Sequence, residues 1–249
     1  MGLMDFFDKD KKEERRYARL AKQITEMYGQ ASERAYVIEQ LRDMQTPEAI
    51  RVLLLRFGQS SQNTTVDIDE KERVYDILVE LGRDQRLDVV GIIRGHLIKT
   101  DERVNWPMKV LSDLLEYDDF VDFLRSLLVE CTTEYKQNPE KKQELILRAQ
   151  ELQSPELAAE LVRFLGDMNE TIRFLAVDAC LAQGADDIVR QPLIDQLVRE
   201  ESLRIVRKIA DALSARPNWK IPSEQRAEVA EVLPAELGVH DQGHVYQRR

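Results

Sequence analysis

Two histidines lie at a spacing that could bind zinc. His240 and His244 are four residues apart, and on a helix that spacing points two imidazoles to one side, as in zinc sites. Gly238 precedes the pair and Gly243 falls inside it, and glycine breaks helical structure. We therefore expect a polar turn and no metal, with residues 237–247 forming a short hairpin.

The cysteines and the common catalytic motifs give no sign of a reaction centre. Cys131 and Cys180 sit among apolar residues without CxxC spacing, which is typical of small buried residues in a reducing compartment. The sequence contains no HExxH, GxSxG, P-loop or GxGxxG motif. We predict no enzymatic activity and no cofactor.

A basic segment follows an apolar one early in the sequence. Gly2-Leu-Met-Asp-Phe-Phe7 precedes residues 11–22, which carry six basic and two acidic side chains. This segment could make a weak peripheral contact with an anionic membrane, or bind an acidic partner. The alternative that we favour is a hydrophobic staple, in which Phe6 and Phe7 pack against the first helix.

Both tryptophans lie close to a proline. Trp106 begins a predicted helix, and we expect it in the core. Trp219 follows Pro217 in a predicted loop, so we expect it to be the more exposed ring. Because tryptophan is enriched at the centres of protein interfaces, Trp219 is a candidate contact for a partner.

Composition and charge narrow the classes of function. Of 249 residues, 43% are hydrophobic, 33% charged and 6% aromatic, and a charged share above the usual ~25% indicates a large wetted surface. The net charge of −10 would repel a phosphate backbone, so we expect no nucleic-acid partner. No run approaches the roughly 18 apolar residues of a transmembrane segment, and no signal-peptide core is present. We expect a cytoplasmic protein.

Helical periodicity appears wherever the chain is apolar. Residues 50–57 follow the i, i+3, i+4, i+7 stripe of a helix, and residues 74–81 repeat it. Between them residues 58–66 are polar and rich in helix breakers, and Asp67-Ile-Asp-Glu70 is expected to cap the second helix. We predict irregular stretches at 58–66, the longest, and at 132–138.

The same helix pair then recurs along the chain. First helices open with Thr46-Pro47-Glu48 and Ser154-Pro155-Glu156, since proline suits the first helical turn. Second helices open with Asn169-Glu-Thr-Ile-Arg173 and Glu200-Glu-Ser-Leu-Arg204, which are 31 residues apart. Self-similarity at this period is typical of helical repeat arrays. We predict helix pairs at 86–98 and 103–115, 118–131 and 139–152, 155–165 and 170–183, and 186–198 and 202–214.

One unit carries a family signature. It reads Pro155-Glu-Leu-Ala-Ala-Glu-Leu-Val-Arg-Phe-Leu-Gly-Asp167 and continues through Ile172-Arg173 to the small residues Ala176 and Ala179. This order of early proline, acidic turn and arginine-bearing second helix resembles a HEAT repeat. Earlier units depart from it, and Asn105 replaces the arginine in one of them.

The resemblance implies an all-α fold, an α-α superhelix or solenoid of about five helix pairs whose second helices line the concave face. Polar caps are needed at the ends of such an array. It predicts a single elongated domain over 1–249, divided into an N-terminal cap (1–45), repeats (46–214) and a C-terminal cap and tail (215–249).

The family also has a ladder of acidic and arginine residues at its repeat junctions. Arg173 and Arg204, with Asp167 and Glu200 nearby, resemble that ladder, and the alternative is a row of arginines that binds anions. The residues that we single out as possible contacts for a partner are Arg73, Arg173, Arg204, Arg207 and Trp219.

A repeat array without a reaction centre favours a non-catalytic scaffold or adaptor that binds another protein through its concave face. Fold alone does not decide function, so two alternatives stay open. One is a HEAT-like enzyme resembling the bilin lyases. The other, disfavoured by the net charge, is DNA binding like that of the HEAT-like alkylpurine glycosylases.

Overall fold

The computed structural model describes the backbone of residues 3–248 and the side chains of residues 11–248. The described chain is all-α apart from one two-stranded hairpin, as predicted. The predicted staple of Phe6 and Phe7 concerns side chains outside the described residues. The helices are α1 (Leu3–Ile24), α2 (Ala31–Met44), α3 (Pro47–Gly58), α4 (Thr64–Asp84), α5 (Val89–Lys99), α6 (Asn105–Leu114), α7 (Tyr117–Glu130), α8 (Glu140–Gln150), α9 (Pro155–Leu161, followed by a 3-10 helix at Val162–Gly166), α10 (Glu170–Ala182), α11 (Asp186–Arg199), α12 (Leu203–Ser214) and α13 (Arg226–Val232).

The chain divides into two compact units, Met1–Phe120 and Val121–Arg249. In the first unit, helix α3 contacts both α1 and α5, and α4 contacts both α2 and α6. In the second unit, α11 contacts both α9 and α13, and α10 contacts both α8 and α12. Alternate helices therefore form two layers within each unit. The single elongated domain over 1–249 stays a prediction.

A shared register buries one side of four of the even-numbered helices, α2, α8, α10 and α12. Three apolar positions, spaced i, i+1 and i+4, are at most 2% exposed in each helix, because this spacing keeps them on one side of an α-helix. A cation stands three residues before the first of them in three helices, at Arg34, Lys142 and Arg173. The apolar sets are Val37, Ile38 and Leu41 in α2, Leu145, Ile146 and Ala149 in α8, Ala176, Val177 and Cys180 in α10, and Ile209, Ala210 and Leu213 in α12.

This register corrects the predicted match between Arg173 and Arg204. Helix α10 begins after Asn169 and α12 after Ser202, so the two helices align at a spacing of 33 residues instead of 31. The position of Arg173 is occupied in α12 by Val206. Burial supports this alignment. The sequence match had aligned Leu203 with Ile172, but Leu203 is 84% exposed whereas Ile172 is buried.

The first helices begin as predicted, whereas the start of α4 was predicted wrongly. Thr46 and Ser154 cap α3 and α9 by accepting hydrogen bonds from Ala49 N and Leu157 N. Asn63 caps α4 by accepting hydrogen bonds from Thr65 N and Val66 N at 3.0 and 3.2 Å.

The loop before α4 is therefore shorter than expected, and Asp67 lies inside the helix instead of capping it. The predicted irregular stretch at 132–138 is confirmed, between α7 and α8. It is also longer than the loop before α4, which contradicts the predicted order.

The predicted C-terminal hairpin is confirmed. Strands β1 (Leu237–Val239) and β2 (Val245–Gln247) pair antiparallel. The rings of His240 and His244 stack with centroids 4.4 Å apart. No group of three or more metal-ligating side chains is found among the residues described. Within the same residues, no helix combines the length and apolar character needed to cross a bilayer.

Candidate functional site

The four arginines that we singled out all form ion pairs within the protein. Their guanidinium groups are held by carboxylates of the same helix, of a neighbouring helix or of a turn next to a helix. The pairs are Arg73 with Glu39, Arg173 with Glu200, Arg204 with Glu170, and Arg207 with Asp211 and Glu236.

Glu200 is the most fully coordinated of these carboxylates. Arg173 donates to both of its oxygens, at 2.9 and 2.8 Å, Gln196 Nε2 donates at 2.8 Å and Ser202 N at 3.0 Å. Burial raises the pKa of Glu200, but the hydrogen bonds from Arg173, Ser202 and Gln196 lower it below its ordinary value. Glu200 thus joins α10 to the start of α12.

The same arrangement recurs one helix pair earlier. Lys142 Nζ on α8 donates to Asp167 Oδ2 at 2.5 Å, and Asn169 N donates to Asp167 Oδ1 at 2.8 Å. In both cases a carboxylate in the turn before an even-numbered helix pairs with a cation of the preceding even-numbered helix. It also accepts a hydrogen bond from a backbone N–H of its own turn. Arg173 extends the series by donating to Asp167 O at 2.9 Å. We call these contacts at Asp167 and Glu200 the ladder. Arg204, which the predicted ladder included, pairs with Glu170 instead.

The first unit contains a buried charge cluster of five residues. Glu70 accepts from Arg34 Nε and Arg56 Nε, both at 2.9 Å, and Asp67 accepts from Arg56 Nη2 at 2.6 Å and Lys71 Nζ at 2.8 Å. All five side chains are buried. Burial raises the pKa of Asp67, but hydrogen bonds from Lys71, Arg56 and the Ser61 backbone together lower it to about 2.

The predicted exposure of Trp219 is wrong, because the ring is only 1% exposed. Its one polar atom, Nε1, donates to Asp186 Oδ2 at 2.8 Å, which removes the penalty of burying an indole N–H. The loop is held in place by a hydrogen bond from Ile221 N to Gly243 O at 2.8 Å. Trp219 is thus a core residue of the second unit and offers no ring to a partner.

Trp106 is instead the partly exposed tryptophan. Its indole stacks on buried Phe57 at 5.8 Å and meets Tyr75 edge-on at 6.3 Å. Lys109 Nζ lies 4.6 Å from the centre of the Tyr75 ring and 5.2 Å from that of Trp106, and Tyr75 Oη donates to Asp113. We call Tyr75, Trp106, Lys109 and Asp113, on α4 and α6, the aromatic surface.

The second unit has a smaller counterpart on α10 and α12. Lys208 Nζ lies 3.5 Å from the centre of the Phe174 ring and the Arg204 guanidinium lies 4.6 Å from it. Lys208 also pairs with Asp178. Two cations therefore cover Phe174, whereas in the aromatic surface one lysine covers two rings.

Sequence patterns missed the aromatic surface because they rank residues by their fit to a core stripe. Tyr75 lies off the stripe of α4, between buried Val74 and Ile77. An aromatic residue off the stripe of an amphipathic helix is the signal that could have identified it.

The cysteines lack the environment of a nucleophile. Burial raises the pKa of Cys180 to about 12 and also raises that of Cys131, although lysines and an arginine near Cys131 oppose the shift. Both are therefore thiols at neutral pH, whereas nucleophilic attack requires a thiolate.

The described site residues thus form internal ion pairs and a partly exposed group of aromatic side chains. Comparison with protein-family models, curated proteins and solved structures finds no match to this chain.

Proposed function

We propose that this protein is a HEAT-like scaffold without catalytic activity that holds another protein on the exposed side of its even-numbered helices. Contacts between alternate helices support the repeat array, because stacked helix pairs place each helix against its equivalent in the next pair. The shared register of cation and apolar residues and the ladder at Asp167 and Glu200 support it further.

The aromatic surface is the single observation that carries the binding proposal. Tryptophan and tyrosine supply large contact areas and are enriched where interfaces are strongest. Trp106 is held in one orientation by its stacking on Phe57, so little conformational entropy would be lost on binding. A lysine and an aspartate border the rings, which suits a partner with both apolar and charged groups.

Affinity capture with the full chain, followed by mass spectrometry and by titration of the captured protein, tests the proposal. We expect a partner with micromolar or tighter affinity whose binding weakens at least about tenfold in Trp106→Ala, as is typical of a hot-spot residue. Tyr28→Ala is the matched control, because Tyr28 is an exposed aromatic residue of the same unit that lies outside the aromatic surface.

Two outcomes would contradict the scaffold proposal. One is that no protein binds, or that the bound protein is held equally well by Trp106→Ala after circular dichroism has shown that the variant is folded. The other is a different activity. It would be detected as absorbance of bound bilin after the purified chain is incubated with bilins, or as salt-dependent binding to duplex DNA.

A further inference from the structure

Helix α1 contains a segment that no other part of the described chain covers. Residues 11–16 are exposed in succession, and six residues make more than one and a half helical turns, so the segment is open on every side. Packing begins only at Tyr17, whose Oη lies 2.8 Å from Thr46 Oγ1, and continues at buried Leu20 and Ile24. A polar helix without tertiary contacts has little to stabilise it in water.

The part of helix α1 that begins with this segment concentrates positive charge in an acidic protein. Residues 11–22 carry six basic and two acidic side chains, a net charge of +4. The whole chain carries −10, so the remaining residues together carry −14. None of the six basic residues forms an ion pair with a described residue. This differs from Arg73, Arg173, Arg204 and Arg207, whose charges are matched by carboxylates.

The sequence of the helix distinguishes between anionic partners. The exposed basic segment follows Leu3-Met-Asp-Phe-Phe7, and α1 is continuous from Leu3 to Ile24. Nucleic acid would use the cations alone, whereas the boundary between lipid head groups and acyl chains takes up apolar residues as well. Repulsion between anionic lipids and the acidic remainder of the chain would confine the contact to this helix.

We propose that helix α1 binds the surface of an anionic lipid bilayer. The basic residues of 11–22 contact the lipid phosphates, and the apolar sequence that precedes them adds affinity for the boundary below the head groups. The helix lies on the bilayer without crossing it. This inference does not depend on the scaffold proposal, because α1 is separate from the aromatic surface on α4 and α6.

Co-sedimentation of the full chain with lipid vesicles tests the inference. We expect binding to phosphatidylcholine vesicles containing about a third phosphatidylglycerol, and at least about tenfold weaker binding to pure phosphatidylcholine or above about 0.5 M salt, where charges are screened. The triple variant Lys12→Gln, Arg15→Gln, Arg16→Gln should lose the binding. Phe6→Ser with Phe7→Ser should weaken it several-fold at constant charge.

The matched control is Arg83→Gln, Arg86→Gln, Lys220→Gln, which removes the same charge from exposed positions elsewhere and should bind vesicles like the unchanged protein. Three results would overturn the inference. They are no binding to anionic vesicles, equal loss in the control, and binding that is insensitive to the phenylalanine changes and equally strong for duplex DNA, which would indicate a general polyanion surface.

Discussion

Arg173 on α10 and Glu200 before α12 form a bidentate pair in which the carboxylate side chain is only 1% exposed and the guanidinium side chain 18%. A pair of this kind is weak evidence for net stability, since desolvation opposes the attraction. The pair does constrain how the turn before α12 lies against α10, because two parallel hydrogen bonds fix their spacing and orientation.

Breaking this pair should destabilise the second unit strongly. Arg173→Met leaves the Glu200 carboxylate buried without its cation, and we expect a loss of about 3 kcal/mol in the free energy of unfolding. Urea denaturation measures it. Arg204→Met is the control, because the Arg204 and Glu170 side chains are both about half exposed and such pairs contribute at most about 1 kcal/mol. Equal losses in the two variants would contradict a buried structural role for Arg173.

The buried cluster of the first unit should make stability depend on acidic pH. The pKa of Asp67 is lowered from 3.8 to about 2, so the folded protein binds the proton less tightly than the unfolded chain. This stabilisation is present above about pH 4 and is lost as the pH falls towards 2.

Unfolding free energies measured between neutral pH and pH 2 test this dependence. Asp67→Asn should be less stable at neutral pH and should vary less with pH in the acidic window. Asp187→Asn, at an exposed position, should leave the slope unchanged. An unaltered slope in Asp67→Asn would refute the assignment.

Tyr75 should lose its phenolic proton only at high pH. The hydrogen bond that it donates to Asp113, with smaller effects of burial and of the Asp113 and Asp76 charges, raises its pKa to about 12. Because the folded pKa is raised, this stabilisation is complete below pH 10 and is lost between pH 10 and 12. The ultraviolet titration signal that disappears in Tyr75→Phe should have its midpoint near 12, and Asp113→Asn should move it down. A midpoint near 10 in the unchanged protein would contradict the hydrogen bond.

The fluorescence of the two tryptophans should differ in its sensitivity to a quencher dissolved in water. The chain has only these two, so Trp106→Phe leaves Trp219 as the single indole. We expect its fluorescence to be shielded from iodide, whereas Trp219→Phe should leave a quenchable signal from Trp106. Trp219→Ala should also lower the unfolding free energy by about 3 to 5 kcal/mol, as for other large core truncations. Quenching of Trp219 would restore its predicted role as an exposed contact.

The sequence by itself determined the all-α fold, most helix positions and the final hairpin. These features depend on local rules that involve only residues close in the chain. Apolar spacing identified the buried sides of α3 and α4, proline and hydroxyl caps located the starts of α3 and α9, and glycines marked the turn between His240 and His244.

Tertiary structure decided what depends on partners distant in sequence. The match of Arg204 to Arg173 looked convincing in sequence, but burial of the apolar positions of α12 set a register two residues away. Asp67 had the residue type of a helix cap, yet Asn63 capped the helix and Asp67 turned to Arg56. Trp219 became a core residue because Asp186, 33 residues earlier, satisfies its N–H. In each case packing and hydrogen-bond satisfaction outweigh a local preference, since the free energy gained by burying a satisfied group exceeds the small differences between local alternatives.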